Sequence, residues 1–317
     1  MNVTLRQLQV FLSLAETRNF SRTGGLIGLT QPAVSRSITE LEAQLGLQLV
    51  NRTTREVELT DAGRSLAARL PRVLDDLDAT LLDVAGMATA RRGRVRVASS
   101  PTLSANLMPE CIALCHTLHP GMELMLLDRV QNATLASVLS GEVDFGVVID
   151  PEERDALTCE TILSEPFLLA CPPDHRLATK AAVKWTDLSG ESLVLLDHAS
   201  GSRRLIDDVL ARLDVQCTVA QEVGHSTTIF RMIEAGLGVA VIPRMALPPQ
   251  GLAGLCVRPL TPRMNRQVML VQRRNRALSP LAQTAWQLVR EQAAKIGDER
   301  SAPKKTSRKR TAAHQPK

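Results

Sequence analysis

The stretch that most constrains this 317-residue chain is Leu29-Thr30-Gln31-Pro32-Ala33-Val34-Ser35-Arg36-Ser37-Ile38-Thr39-Glu40-Leu41-Glu42-Ala43-Gln44-Leu45-Gly46. Val34, Ile38, Leu41 and Leu45 recur at offsets of four, three and four, one apolar face of a 3.6-residue helix. Thr30 can cap the start, its hydroxyl accepting from a first-turn amide that has no intrahelical partner. Pro32 falls in the first turn, where a missing N–H costs little, and Gly46 suits the left-handed residue that ends the helix. Gln31, Ser35, Arg36 and Thr39 are left on the opposite face.

Upstream, Thr4 can cap a helix whose apolar residues are Leu5, Leu8, Phe11, Leu12 and Ala15, and Phe20-Ser21 opens a short second helix that Gly28 breaks after Ile27. Two helices joined by a tight Gly-containing turn, the second with a polar face, read as helix-turn-helix. Short donors and acceptors plus a guanidinium suit base edges and phosphates in a major groove. An ordinary solvated helix face has the same composition, and the flanks shift the reading toward DNA. Downstream, Gln48-Leu49-Val50-Asn51-Arg52 and Glu56-Val57-Glu58-Leu59 alternate around Thr53-Thr54-Arg55. That pattern predicts a hairpin wing with Arg52 and Arg55 near its tip, facing a backbone phosphate. The expected DNA-binding set is Arg22, Thr30, Gln31, Pro32, Ser35, Arg36, Thr39, Arg52 and Arg55.

Leu5-Arg6-Gln7-Leu8, Phe11, Phe20-Ser21, Leu29 through Arg36, Ile38, Leu41-Glu42, Leu45-Gly46 and Leu59-Thr60-Asp61-Ala62-Gly63 together resemble the N-terminal signature of LysR-type transcriptional regulators. The resemblance is dense over roughly the first 65 residues, and the remaining length and layout agree with it. It implies a winged helix-turn-helix over 1–60, a linker and dimerisation helix over 61–89, and an effector-binding domain over 90–297. One departure is Thr23-Gly24-Gly25-Leu26 in the second helix, where the family usually has alanines and a charged pair. Two helix-interior glycines cost about 1 kcal/mol each relative to alanine, so a looser second helix is expected.

Thr60 begins the next element, with Asp61 favourably placed against the helix dipole. Leu70, Leu77 and Val84 repeat every seven residues, as do Leu74, Leu81 and Ala88. Such a heptad seam is buried only against another helix, so it points to a dimer and a near-palindromic DNA site. The alternative is an amphipathic helix packed on its own domain. Pro71 removes the bond to the Ala67 carbonyl and should bend the helix.

Beyond the small basic hinge Ala88 to Gly93 the pattern alternates. Strands are expected at Arg94–Ala98, Glu123–Asp128 and Val143–Ile149, with helices at Leu103–Leu118 and Ala133–Leu139. This order implies a mostly parallel sheet with helices on its faces. A second block repeats the theme. Its strands are Phe167–Cys171, Ser192–Leu196, Val215–Val223, Gly238–Ile242 and Gln267–Val271; its helices are Ser202–Leu213, Thr227–Ala235 and Pro280 to about Ala294. The fold class is therefore α/β, two lobes forming a clamp for a small molecule. The family resemblance adds a periplasmic-binding-protein-like domain, with one lobe of about 94–163 plus 267–297 and the other of about 164–266.

Three strand-to-helix junctions carry hydroxyls: Ser99-Ser100-Pro101-Thr102, Ser200-Gly201-Ser202-Arg203 and His225-Ser226-Thr227. Unpaired amides at a helix start, with hydroxyls beside them, favour an anion such as a carboxylate. Plain capping accounts for any one serine; three junctions meeting in one cleft would make a pocket. The expected effector set is Ser99, Ser100, Pro101, Thr102, Ser200, Gly201, Ser202, Arg203, His225 and Ser226. Arg203 either pairs with a carboxylate or points outward, and Asp144 beside a core strand reads as a structural hydrogen-bonding residue.

The net charge of +5 is local. From Asp298 onward, seven basic residues against two acidic ones supply all of it, so residues 298–317 read as a basic disordered tail. Such a tail either adds sequence-blind attraction to DNA or is a solvated terminus. Cys111 and Cys115 lie four apart on an expected helix, which makes no zinc knuckle, and reduced buried thiols are the default, with redox sensing the rival. No cofactor or metal is expected. No nucleophile elbow, phosphate-binding glycine loop or paired carboxylates suggest an enzyme. No secretory signal and no apolar run near ~20 residues point to a soluble cytoplasmic chain with no membrane partner. Expected partners are double-stranded promoter DNA, a small-molecule effector, further copies in a homodimer or homotetramer, and RNA polymerase as a further candidate.

Overall fold

A computed structural model describes residues 2–52, 57–84, 93–248 and 254–301. The N-terminal unit is α1 (Leu5–Thr17), α2 (Phe20–Ile27) and α3 (Gln31–Leu45), then β1 (Val50–Arg52), β2 (Val57–Leu59) and α4 (Asp61–Val84). A capping box starts α1: the Thr4 hydroxyl accepts from Gln7 N at 3.3 Å, and the Gln7 side chain accepts from Thr4 N at 2.9 Å. Val10, Phe11 and Leu14 of α1 bury against Val34, Ile38 and Leu41 of α3, with Leu49, Val50, Val57 and Leu70 closing the core. The Glu42 carboxylate of α3 accepts from Leu49 N at 2.8 Å and Val50 N at 3.1 Å, which fixes the wing against the helix. The wing strands are antiparallel, Val50 opposite Leu59 and Arg52 opposite Val57.

Two local expectations change. Thr30 is the N-cap of α3 in extended backbone, but its side chain makes no capping bond. Pro32 at the second helical position has no N–H to give, and the hydroxyl stays exposed. Gly24 does not loosen α2. Leu29 N donates to Gly24 O at 2.8 Å, and a Cβ at Gly24 would stand 2.4 Å from the Leu29 carbonyl oxygen. The glycine lets α2 and the turn into α3 touch. Gly25 meets only open space, so there the propensity cost stands alone.

The larger unit begins with β3 (Gly93–Ser99), α5 (Pro101–Asn106), α6 (Met108–Leu118), β4 (Met122–Asp128), α7 (Gln131–Ser140), β5 (Phe145–Ile149) and β6 (Leu157–Cys171). It continues with β7 (Val183–Lys184), β8 (Ser192–Leu196), α8 (Gly201–Arg212), β9 (Thr218–Val223), α9 (Ser226–Glu234) and β10 (Ala240–Pro243), and ends with β11 (Cys256–Thr261), β12 (Asn265–Arg273) and α10 (Pro280–Ser301). The expected single helix over Leu103–Leu118 breaks at Leu107 (φ −121°, ψ −48°). Pro109 is the cause, since its ring excludes a continuous helix through residue 105. Asp144 takes the structural role expected of it, accepting from Arg96 N at 2.8 Å while its own N donates to Arg96 O.

Strand order is β4-β3-β5-β12-β6-β11-β7, with β10 also on β6. β3 pairs in parallel with β4 and β5, whereas β12 runs antiparallel to β5 and β6. The first sheet is thus mixed rather than mostly parallel. β6 is fifteen residues long and belongs to both lobes. Its first part pairs with β12, and Phe167–Cys171 pair with β10 and β11. One core gathers Val95, Leu103, Phe145, Leu270 and Trp286. Another gathers Phe167, Trp185, Leu193, Ile206 and Val241. β8 and β9 are parallel, and β8 joins the second lobe through Val194 N to Val239 O at 2.9 Å.

Candidate functional site

On α3 the buried triad Val34, Ile38 and Leu41 leaves Gln31, Pro32, Arg36 and Thr39 exposed and Ser35 half-buried. The Thr39 hydroxyl donates to the Ser35 carbonyl at 3.0 Å, so the two short side chains share one side of the helix. Arg22 is exposed one turn into α2, whose start is capped by the Asn19 side chain accepting from Arg22 N at 2.9 Å. Arg52 ends β1 by its backbone, and Arg55 lies outside the described residues. A short polar ridge therefore stands on a helix that is held from behind by its own core.

Among the described residues, two cavities stand out where the lobes meet. One, of about 770 Å³, lies between the starts of α5 and α9. Pro101, Thr102 and Asn106 form one wall and His225, Ser226 and Arg231 the other. The Thr102 Oγ1 and Ser226 Oγ hydroxyls meet at 3.5 Å, within hydrogen-bonding reach, and join the two walls. The Arg231 guanidinium is largely exposed and pairs at 2.8 Å with the half-buried Glu234 carboxylate, with which an incoming anion competes.

The other cavity, of about 420 Å³, is lined by Gln131, Glu152, His198, Ser200, Gly201 and Arg204. The third junction opens here, apart from the first two. Ser200 caps α8, accepting from Ser202 N at 3.3 Å. Arg204 Nε lies 2.7 Å from Glu152, and Arg204 Nη2 donates to the Asp150 carbonyl at 3.1 Å, joining α8 to the end of β5.

The remaining junction residues are held inside the fold. Ser99 and Ser100 are buried, Ser99 Oγ donating to the Ser100 carbonyl at 3.4 Å. Ser202 Oγ accepts from Arg266 Nη1 at 2.6 Å in a fully buried contact. Arg203 is neither free for a ligand nor outward. Its side chain is 5% exposed, with Nε 2.9 Å from Asp207, Nη2 2.9 Å from Glu222 and Nη1 donating to the Leu196 carbonyl. Burial opposes its charge, and the Asp207 and Glu222 carboxylates outweigh that and hold the guanidinium above its ordinary range. Asn106 and Arg231 had escaped notice in the sequence. Asn106 follows Thr102 by one helical turn, and Arg231 sits on α9 opposite the buried Ile229, Phe230 and Ile233.

Two family models cover nearly the whole of this architecture. Residues 5–64 match the bacterial regulatory helix-turn-helix protein model of the lysR family, and residues 88–294 match the LysR substrate binding domain. The chain belongs to the LysR family. An HTH-type transcriptional regulator of Shigella flexneri, YfeR, is 50% identical over 293 residues, covering 92% of this chain and 95% of that protein. A probable hydrogen peroxide-inducible genes activator of Mycobacterium avium is 32% identical over 84% of this chain and 87% of that protein, and the DNA-binding transcriptional dual regulator OxyR of Escherichia coli is 28% identical over 81% of this chain and 86% of that protein. Among solved structures, full-length CbnR in complex with its target DNA superposes with a TM-score of 0.66 at 20% identity, covering 91% of this chain and 99% of that one, which shows the shared fold.

As a LysR-type protein the chain is a DNA-binding transcriptional regulator with an effector-binding domain, and members of the family are regulators rather than enzymes. Among the described residues no helix is long and apolar enough to cross a membrane. Nor does any group of three or more His, Cys, Asp or Glu side chains among them sit where it would hold a metal ion.

Proposed function

We propose that this regulator reads promoter DNA with α3 and answers to a small carboxylate bound between the starts of α5 and α9. Gln31, Ser35, Arg36 and Thr39 supply base-edge and phosphate contacts in the major groove; Thr30 and Pro32 bring the helix start to the backbone. Arg22, Arg52 and Arg55 grip flanking phosphates. The observation that carries the ligand half is the 3.5 Å meeting of Thr102 and Ser226, one from each lobe, in the wall of a cavity that His225 and Arg231 also line. Two hydroxyls and a solvated guanidinium suit a carboxylate, and one wall comes from each lobe, so a ligand there favours one lobe geometry over another. Differential affinity of that kind is what shifts a population.

Of the expected seam residues, Leu70 is buried in the N-terminal core and Leu74 packs against it, whereas Leu77 and Leu81 are exposed in the single chain, with Val73 exposed beside them. A second copy of α4 laid along this seam buries them, giving a homodimer with two reading heads and, by pairing of dimers, a homotetramer. RNA polymerase is the partner through which altered promoter geometry is read, and the cytoplasm is where all of these meet. The ligand half is tested by thermal shift against a panel of small carboxylates. A concentration-dependent rise in melting temperature is expected for the wild type, reduced in Thr102→Val and Ser226→Ala. Equal shifts in all three proteins would place the ligand elsewhere.

A further inference from the structure

Six cysteines are spread through the effector domain. Cys111 and Cys115 share one face of α6, but helical neighbours four apart keep their Cβ atoms about 5–6 Å apart. A disulfide needs about 3.5–4.5 Å. Cys171 and Cys256 are different. Cys171 ends β6, Cys256 begins β11, and the antiparallel register sets them directly opposite one another. Opposed residues in such a pair point to the same face with Cα atoms about 4.5–5.5 Å apart, inside the range a disulfide spans without backbone movement. Both side chains pack on the second core, Cys171 fully buried and Cys256 half-buried at its margin. The Cys256 thiol itself donates to the Ala178 carbonyl at 3.9 Å.

From this geometry we infer that Cys171 and Cys256 form an oxidisable dithiol that closes to a cross-strand disulfide under hydrogen peroxide. The two sulfurs have unequal roles. Cys171 is sealed in the core, and burial together with the neighbouring Cys256 pushes its thiol up to about 11, so at neutral pH it stays protonated. Cys256 reaches the surface and reacts first. Its sulfur attacks one peroxide oxygen, the O–O bond breaks, and the other oxygen leaves as water with the thiol proton, giving a sulfenic acid. The Cys171 sulfur then attacks the Cys256 sulfur; the S–O bond breaks and a second water leaves with the Cys171 proton. Two thiols and one peroxide give one disulfide and two waters. The bond ties β11, which follows the Ala246 and Pro248 cavity wall, to the strand shared by both lobes.

The test treats the full reduced protein with hydrogen peroxide, quenches with catalase, alkylates in denaturant so that the buried Cys171 is reached, and maps peptides by mass spectrometry, with melting temperature as a second readout. A Cys171–Cys256 cross-link that dithiothreitol reverses is expected. The oxidised protein should melt higher, since a loop of about 85 residues is closed in its unfolded state. In Cys171→Ser, dimedone should trap a sulfenic acid at Cys256. In Cys256→Ser, Cys171 should stay alkylatable after peroxide. Full alkylation of both residues in peroxide-treated wild type overturns the inference, as does a dominant disulfide through Cys159 or Cys217. Oxidation of Cys256 that leaves Cys171 free in the wild type overturns it equally. None of these readouts depends on DNA or on a carboxylate ligand.

Discussion

The lobes meet in two ways. At the start of α8 the contact is dense and polar. Arg266 on β12 lies 2.6 Å from Glu165 on β6 and donates to Ser202, all three buried. Gln131 on α7 clasps the Ile149 backbone in both directions, at 2.7 and 2.9 Å, and its own N donates to the Ala199 carbonyl of the other lobe at 3.3 Å. Between α5 and α9, by contrast, the Thr102 and Ser226 hydroxyls meet at 3.5 Å in the wall of a larger cavity. Around the smaller cavity at the first junction the polar groups are engaged with one another, Arg204 with Glu152 and Asp150 and Gln131 with Ile149, while the second offers hydroxyls and an exposed guanidinium around a larger space. The first holds the lobes together and the second leaves room for an effector to choose between lobe geometries.

The largest effect should come from the sealed junction. Removing Arg266 leaves Glu165 as an uncompensated buried charge, so Arg266→Ala should lose about 3–5 kcal/mol in urea denaturation of the effector domain. A loss below about 1 kcal/mol would show that water reaches the pair. Next is Gly201→Ala, where a Cβ would stand 2.2 Å from the Gln131 side-chain oxygen. It should evict Gln131 from Ile149 at about 1–3 kcal/mol, visible as faster amide exchange at Ile149; unchanged exchange would mean that Gln131 adapts in place.

The same contrast of close approach and open space recurs within α2. Gly24→Ala should destabilise by about 1–3 kcal/mol because the Leu29 carbonyl must move. Gly25→Ala should stabilise by about 0.5–1 kcal/mol from helix propensity alone. Equal signs for the two would refute the packing argument. At the open junction, Thr102→Val should change stability by no more than about 0.5 kcal/mol while altering the ligand response. The smallest effect concerns acid. Arg129 donates to Glu142 through two nitrogens at 2.6 and 2.7 Å and holds its carboxyl below the usual 4.5. The stability this pair contributes is complete above pH 4.5 and lost as pH falls through the lower folded value. Both side chains are more than a third exposed, so Glu142→Gln should flatten acid sensitivity by less than about 1 kcal/mol.

Periodicity made the reading helix legible, since Val34, Ile38 and Leu41 are buried as their spacing required. Capping chemistry was less so: Thr4 caps as expected, and Thr30 stands at the N-cap of α3 without a side-chain bond. The first part of β6 stayed hidden because Thr158, Glu160, Thr161 and Ser164 break its apolar pattern; strand pairing with β12 holds it instead. β11 was missed for a related reason, Pro259 and Arg258 reading as loop although register and backbone bonds place them in a sheet. Hydroxyls at three junctions were visible in the sequence, but whether each faces a cavity or a buried arginine depends on contacts more than sixty residues away. Ser202 with Arg266 is that case. Arg203 shows the same limit, since its carboxylates come from its own helix and from β9.

The account rests on α3 reading DNA, and selection of genomic fragments by the purified protein tests this directly. The wild type should enrich a small set of near-palindromic fragments, and Arg36→Ala should lose that enrichment while keeping the wild-type melting temperature. Equal enrichment of the same fragments by both proteins, or no preference over random duplex in either, would contradict it.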